Sequence, residues 1–454
     1  MRCAPCPPDA VQLHGWSVEH ARLADELDRR VRSHFRPAAP LGRTPAPRDV
    51  AELAAITTGG LGVDEALRLV DDVLLPNNVA LDHERFLAYI PAAPATAAAL
   101  FDAIVGAWSF SGESWQEAGG AIAAENAALD WLRTLAGLPP GAAGCFVSGG
   151  SAGNLSALAV ARDQWRREHP AAGRLAIACA PSAHSSVRSA ASLLDLDVVE
   201  VPGDARDRLT GGALRATVGD RPVCAVVASA GATNTGAVDE LDGVADWCAG
   251  AAAWFHVDAA YGGAGLCLPE LATRFAGIER ADSLVVDPHK WLFAPLDCAA
   301  LLYRRPAAAA RTHRQSAAYL DAFGDAHVNP SDLAFHLTRR ARGLPLWFAL
   351  VVHGTDAVAE AVRAGLDLAR QAADIVRSIG DPVHLVMEPE LSVVLFERDG
   401  WRRADWDAWA AGALADGVAF VAPTRWRGRD VGRLVFLHPH TDLAAVADLL
   451  SRLR

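Results

Sequence analysis

Between about residue 86 and residue 345 the chain alternates short apolar runs with longer stretches of helical periodicity. The runs are Leu175 to Cys179, Val198 to Val201, Val223 to Ser229, Trp254 to Val257, Ser283 to Val286 and Ala299 to Tyr303, nearly free of charge. A strand buried on both faces has that composition, whereas a strand with one wet face alternates apolar and polar residues. The repetition predicts an α/β layer structure, with a mostly parallel sheet flanked by helices. It also predicts where chemistry would sit, because open parallel sheets bind ligands beyond the carboxyl ends of their strands.

The rest of the chain divides around this block. With 454 residues it is too long for one simple core. Residues 1–85 read as a helical segment, with an amphipathic stretch from Val18 to Phe35 and a proline-rich arm from Arg36 to Arg48. A second short helix is expected from Asp64 to Leu74, stopped by Pro76-Asn77-Asn78. Residues 86–345 form the large domain. Residues 346–454 read as a smaller α+β domain, with a long helix from Phe348 to Ile379 and strands near Leu391 to Phe396 and Leu434 to Leu437.

Composition excludes several classes of partner. A net charge of −12 and a pI of about 5.7 argue against nucleic acid or an anionic membrane. No basic stretch followed by an apolar one opens the chain, so no signal peptide is expected. Residues 135–161 carry no charge, but Gly, Pro, Ser and Asn interrupt them, so they do not read as a membrane span. The eight cysteines are scattered, mostly in apolar runs, and read as reduced core thiols of a cytoplasmic protein. Cys3 and Cys6 have metal-ligand spacing without a second pair nearby, and no metal is expected.

Asp287-Pro288-His289-Lys290-Trp291 carries the strongest chemical signal. Apolar residues flank it on both sides, as at a strand end entering a buried site. Nearly all the 42 basic residues are arginines, so a lysine here is conspicuous. An amine that must lose its proton and attack a carbonyl has to be lysine, because arginine stays charged. A desolvated Schiff-base lysine is the chemistry suggested, and a surface lysine at a strand end is the alternative. Upstream, Asp258 follows the apolar run that ends at Val257. A buried carboxylate there needs a cationic partner, such as a protonated pyridine nitrogen. Ala259 and Ala260 are small enough to let a flat ring approach.

Three further segments follow strand-like runs. Ser148-Gly149-Gly150-Ser151-Ala152-Gly153-Asn154 opens a helix, where free backbone N–H groups and the helix dipole favour a phosphate. A plain capping turn is the alternative. His184, in Pro181-Ser182-Ala183-His184-Ser185-Ser186-Val187, stands just past a strand end, where a histidine could cover an aromatic face or be structural. Ala230-Gly231-Ala232-Thr233-Asn234-Thr235-Gly236 reads as a turn. Gln315 to Leu333 is polar and loop-like, and loops of this length often act as lids.

In the order and spacing of these motifs the chain resembles the group II amino-acid decarboxylases that depend on pyridoxal 5'-phosphate (PLP), the aromatic-L-amino-acid decarboxylase type in particular. The resemblance runs from about Asp82 to the C-terminus and is densest from Cys145 to Trp347. It implies the PLP-dependent transferase fold type I, aspartate-aminotransferase-like. It also implies a homodimer with active sites at the subunit interface, in which residues 1–85 wrap the partner. The cofactor would be PLP, held by Lys290, with Gly150 and Ser151 on its phosphate, His184 over its ring, Asp258 at its ring nitrogen, and Thr233, Ala260, Asp287 and His289 around it. An aspartate beside a phosphate is repulsive, so the role of Asp287 is less defined than that of Lys290.

Tyr319 has the spacing of the family's lid tyrosine, which is thought to protonate the substrate carbon after CO2 leaves. The catalytic set implied is therefore Lys290, His184, Asp258 and Tyr319. Tyrosine at that place favours simple decarboxylation, because phenylalanine goes with aldehyde-forming relatives. Arg339 to Trp347 resembles the motif that closes the domain, and its charges read as structural. Tyr89 and Pro91 match the family's Tyr-x-Pro segment. Leu81, Ser111, Glu113 and Leu296 fall where aromatic-acid enzymes have wall residues, many of them aromatic. Glu113 is the odd one: it could meet an amine or hydroxyl of a substrate side chain, or be an exposed helix-end glutamate. The implied reaction is decarboxylation of an L-amino acid with an aromatic or other bulky side chain to the amine. An aldehyde synthase, oxidative deaminase or lyase on the same fold is the alternative, and a non-catalytic PLP-binding protein a more distant one.

Overall fold

The computed structural model describes residues 13–35, 40–54, 56–171, 173–316 and 328–454. Seven strands form the large sheet: β1 (Ala143–Val147), β2 (Ala176–Cys179), β3 (Asp197–Glu200), β4 (Val223–Ser229), β5 (Trp254–Asp258), β6 (Ser283–Val286) and β7 (Ala299–Tyr303). Their order across the sheet is β1-β7-β6-β5-β4-β2-β3. Neighbours are parallel from β6 through to β3, and β7 is antiparallel to both β1 and β6. Reversing twice brings β1 back to the direction of β6. Six of the seven strands therefore deliver their carboxyl ends to one edge.

The strand composition follows from this placement. Phe146, Ala178, Val226 and Leu302 belong to one apolar cluster, and their neighbours Cys145, Val147, Ile177, Val227 and Leu301 to another. Successive side chains point to opposite faces, and helices cover both, so each strand is apolar throughout. The sequence-predicted runs from Val223, Ser283 and Ala299 match the strands at both ends.

A second sheet, β10-β11-β9-β8, is antiparallel throughout and built from β8 (Val383–Leu385), β9 (Val393–Arg398), β10 (Thr424–Trp426) and β11 (Arg429–Val435). Trp406, Trp409, Leu449 and Leu450 from its helices pack with Phe396 and Phe436 in a separate core. The long helix begins earlier than expected, at Leu344. It is interrupted at Gly354, where φ of 77° and ψ of 163° are not helical and φ > 0 favours glycine. Two polar links join this sheet to the large one. Ser392 N–H donates to Tyr261 Oη at 2.8 Å, and the buried Arg433 donates to the carbonyls of Thr233 and Asn234.

The expected N-terminal helix spans Val18–His34, capped by Ser17, and buries none of its residues in this chain. The six cysteines within the described residues are free, and all but Cys267 are buried. Cys3 and Cys6 lie outside the described residues. Among those described, no helix is long and apolar enough to cross a membrane.

Candidate functional site

Five loops leave the shared strand edge and close around one cavity of about 280 Å³. All nine residues expected to hold a cofactor line it: Gly150, Ser151, His184, Thr233, Asp258, Ala260, Asp287, His289 and Lys290. They come from the loops after β1, β2, β4, β5 and β6, so up to 140 residues of chain separate groups that face one space. The loops approach one another closely. Gly231 has φ of 108°, and a Cβ there would lie 2.9 Å from the Gly262 backbone.

Lys290 is the only lysine in the chain. Its Nζ lies 2.9 Å from Asp287 Oδ2, and its side chain is 22% exposed. Desolvation by the cavity walls would lower the ammonium pKa. The charge and hydrogen bond of Asp287, with the charge of Asp258 behind, outweigh it, and the net shift is upward. Asp287 Oδ2 also accepts the Gly150 N–H at 3.2 Å, while its buried Oδ1 has no hydrogen-bond partner. Asp287 thus bonds both the amine and the Gly150 backbone. His289 Nδ1 accepts the Cys298 N–H at 3.0 Å, and burial lowers the His289 pKa against the pull of Asp287.

Asp258 ends β5 and is buried. Its Oδ2 accepts from Asn154 Nδ2 at 2.9 Å, and its Oδ1 from the Ala260 N–H at 3.1 Å. His184 caps the Ser185–Leu193 helix, with Nδ1 accepting the Ser186 N–H at 3.3 Å. The Gly150–Glu168 helix opens at the cavity without a side-chain cap; the Gly150 N–H is taken by Asp287, and those of Ala152 and Gly153 by the Gly149 carbonyl. At Gly150 a Cβ would sit 3.1 Å from Ala260 Cβ and 3.2 Å from the Asp287 oxygens. The donor set fits PLP: one amine, one buried carboxylate, a helix N-terminus and a cradle that any side chain at Gly150 would crowd.

The substrate side is less complete. Leu296 lines the same cavity and is 55% exposed. Tyr89, Pro91, Ser111 and Glu113 do not line it. Tyr89 is exposed with its ring 6.0 Å from that of Phe420, Pro91 is buried, and Ser111 forms a β-bridge with Arg340. Glu113 is buried rather than exposed, and its carbonyl accepts the Ser331 N–H at 3.4 Å. Tyr319 lies outside the described residues. Arg339 is fully buried against Glu125, in keeping with a structural reading of its motif. Asn154 and His256, within motifs already quoted, were not singled out. The available signal was a polar residue inside an otherwise buried helix start and strand.

Comparison with known proteins agrees with this geometry. Residues 63–398 match the pyridoxal-dependent decarboxylase conserved domain. An aromatic-L-amino-acid decarboxylase of Bacillus atrophaeus is 28% identical over 419 residues, covering 88% of this chain and 86% of that protein. An L-2,4-diaminobutyrate decarboxylase of Rhizobium meliloti (strain 1021) is 31% identical over 427 residues, covering 88% and 83%. The crystal structure of Oryza sativa TDC with PLP and tryptamine superposes with a TM-score of 0.89 at 25% identity, covering 97% of this chain and 99% of that one.

Proposed function

This chain belongs to the pyridoxal-dependent decarboxylase family and is a PLP-dependent amino-acid decarboxylase; from that premise we propose that its substrate is an L-amino acid with an aromatic or other bulky side chain. The observation that carries the site assignment is the convergence of the only lysine, Lys290, with Asp258 and His184 on one cavity. When bound, PLP supplies an electron sink for the pair released as the carboxylate leaves.

Each residue then has a physical task. Lys290 would hold the cofactor through its aldehyde carbon, and Asp287 would hold the ammonium until that bond forms. Asp258 would keep the ring nitrogen protonated. Gly150 and Ser151 would hold the phosphate, with Thr233, Ala260 and His289 shaping the rest of the cradle. His184 would cover the ring and orient the substrate carboxylate. Tyr319 would return a proton to Cα.

An apolar rim supports the bulky-side-chain reading. Leu296 stands at the cavity, and Leu155, Leu193 and Phe335 line the adjoining depression beside His184. A second reading, a diamino acid, is favoured by the diaminobutyrate decarboxylase likeness and by the buried carboxylate of Glu113. We also propose a homodimer in a reducing, cytoplasmic setting. The Val18–His34 helix leaves Leu27, Val31 and the following Phe35 exposed, and Leu100, Ile104, Trp108, Val351 and Val352 are exposed as well. A second copy would cover this surface and bring wall residues such as the exposed Tyr89 to its neighbour's cavity. The test is a panel of aromatic and diamino L-amino acids, with amine, CO2, ammonia and hydrogen peroxide measured together. Amine and CO2 in equal amounts are expected, fastest with aromatic substrates. Ammonia and peroxide without amine would contradict the reading.

A further inference from the structure

Behind the cavity floor a polar chain runs through buried side chains and reaches the exposed His184. Asn154 Nδ2 donates to Asp258 Oδ2 and to Ser186 Oγ, both at 2.9 Å. Asn154 Oδ1 lies 2.9 Å from His256 Nε2. His256 Nδ1 lies 2.8 Å from Ser283 Oγ, which accepts the Trp254 indole N–H at 2.8 Å. On the other branch, Ser186 Oγ lies 2.8 Å from His184 Nδ1. Asn154, His256 and Ser283 have no exposed surface.

These bonds have one direction. Asn154 turns its nitrogen toward Asp258 and its oxygen toward His256. His256 must then donate from Nε2. Its Nδ1, without a proton, accepts from the Ser283 hydroxyl. That ring is neutral: burial pushes its pKa down to about 4, against the opposing Asp258 charge and Ser283 backbone bond. The Ser186 hydroxyl, having accepted from Asn154, donates to His184 Nδ1. The His184 proton is left on Nε2. Every member of the chain is satisfied in this arrangement, and flipping the Asn154 amide would set its oxygen against the Asp258 carboxylate.

We propose that Asn154 is a positioning residue that couples the two arms of the site, fixing the Asp258 side chain with one N–H and, through Ser186, holding His184 as the Nε2–H tautomer with the other, while His256 aims the amide. The inference rests on the reading of Asp258 as the ring-nitrogen partner and His184 as the group that orients substrate. It explains why a helix start, two strand ends and a capping histidine are joined by one amide rather than by separate solvent contacts.

The test uses the full-length protein, with PLP as the probe. Asn154→Asp keeps the shape but replaces both donors with acceptors beside Asp258. Equilibrium titration is expected to show PLP binding roughly 10- to 100-fold weaker, with a displaced pH midpoint in the cofactor absorbance. His256→Phe should reproduce the loss, and His256→Gln, which keeps an N–H at the Nε2 position, should recover most of it. In the unmutated holoenzyme, nitrogen NMR of the imidazoles should report the Nε2–H form at both His184 and His256, a readout that requires no variant to fold. Asp258→Ala, measured alongside, separates the two levels of the argument. Undiminished PLP affinity in Asp258→Ala overturns the underlying site reading. A loss in Asp258→Ala with unchanged affinity and spectrum in Asn154→Asp, or an Nδ1–H form at either histidine, overturns the positioning role alone.

Discussion

On its floor the Lys290 cavity is lined by strand ends whose side chains are tied down: Asp258 by the Asn154 amide and the Ala260 N–H, Lys290 by Asp287, His289 by the Cys298 N–H. On its substrate side stands Leu296, more than half exposed, with Tyr89, Pro91, Ser111 and Glu113 elsewhere on the chain. The floor is built by one sheet edge, so its geometry is set by strand register. The wall depends on loops and, on our reading, on a second copy. On our reading, cofactor chemistry thus rests on the sheet edge and substrate choice on the loops around it.

Substitutions can break this contrast. Lys290→Ala should abolish turnover, by on the order of 10⁴-fold or more, because no other side-chain amine exists to take its place. Turnover assays with a saturating aromatic substrate would check it. Asp258→Asn should cost roughly 100- to 1000-fold in kcat while the protein still folds, measured beside a thermal unfolding scan.

The floor should also show in stability against pH. The His256 pKa is lowered from 6.5 to about 4 by burial, opposed by Asp258 and the Ser283 backbone. Its unfolded state therefore binds the proton first as pH falls. The contribution of the neutral ring is complete above about pH 6.5 and lost progressively toward pH 4, about 3 kcal/mol in all. Urea unfolding across that range should show the loss, and His256→Gln should flatten it by a similar amount.

Wall substitutions should be gentler. Leu296→Ala should raise KM for aromatic substrates about 3- to 10-fold with little change in kcat, in line with one lost apolar contact. Glu113→Gln should change aromatic KM less than about twofold, within the range of a group that does not touch substrate. A large rise in KM for 2,4-diaminobutyrate alone would shift the substrate reading toward the diamino acid.

Legibility followed the same division. Val223–Ser229 and Ser283–Val286 were readable because a strand buried on both faces is apolar throughout, and Lys290, Asp258 and His184 were readable because each follows such a run. The β11 strand was only half seen. It begins Arg429-Asp430-Val431-Gly432-Arg433, and an antiparallel strand with a polar start lacks the continuous apolar signal. The Asn154 link to His256 and Asp258 spans about a hundred residues, and no local periodicity reports a contact of that kind. Glu113 was open to two readings. Its burial removes the exposed one, and its absence from the cavity lining is a tertiary fact that sequence spacing does not describe.

The central claim is that Lys290 carries the cofactor, and the composition of the chain makes the direct test unusually clean. Borohydride reduction of the PLP-loaded protein, followed by peptide mass mapping, should place a single phosphopyridoxyl group on Lys290, since the only other amine is that of the N-terminus. An unmodified Lys290 peptide from protein that still binds PLP and releases CO2 would contradict the account.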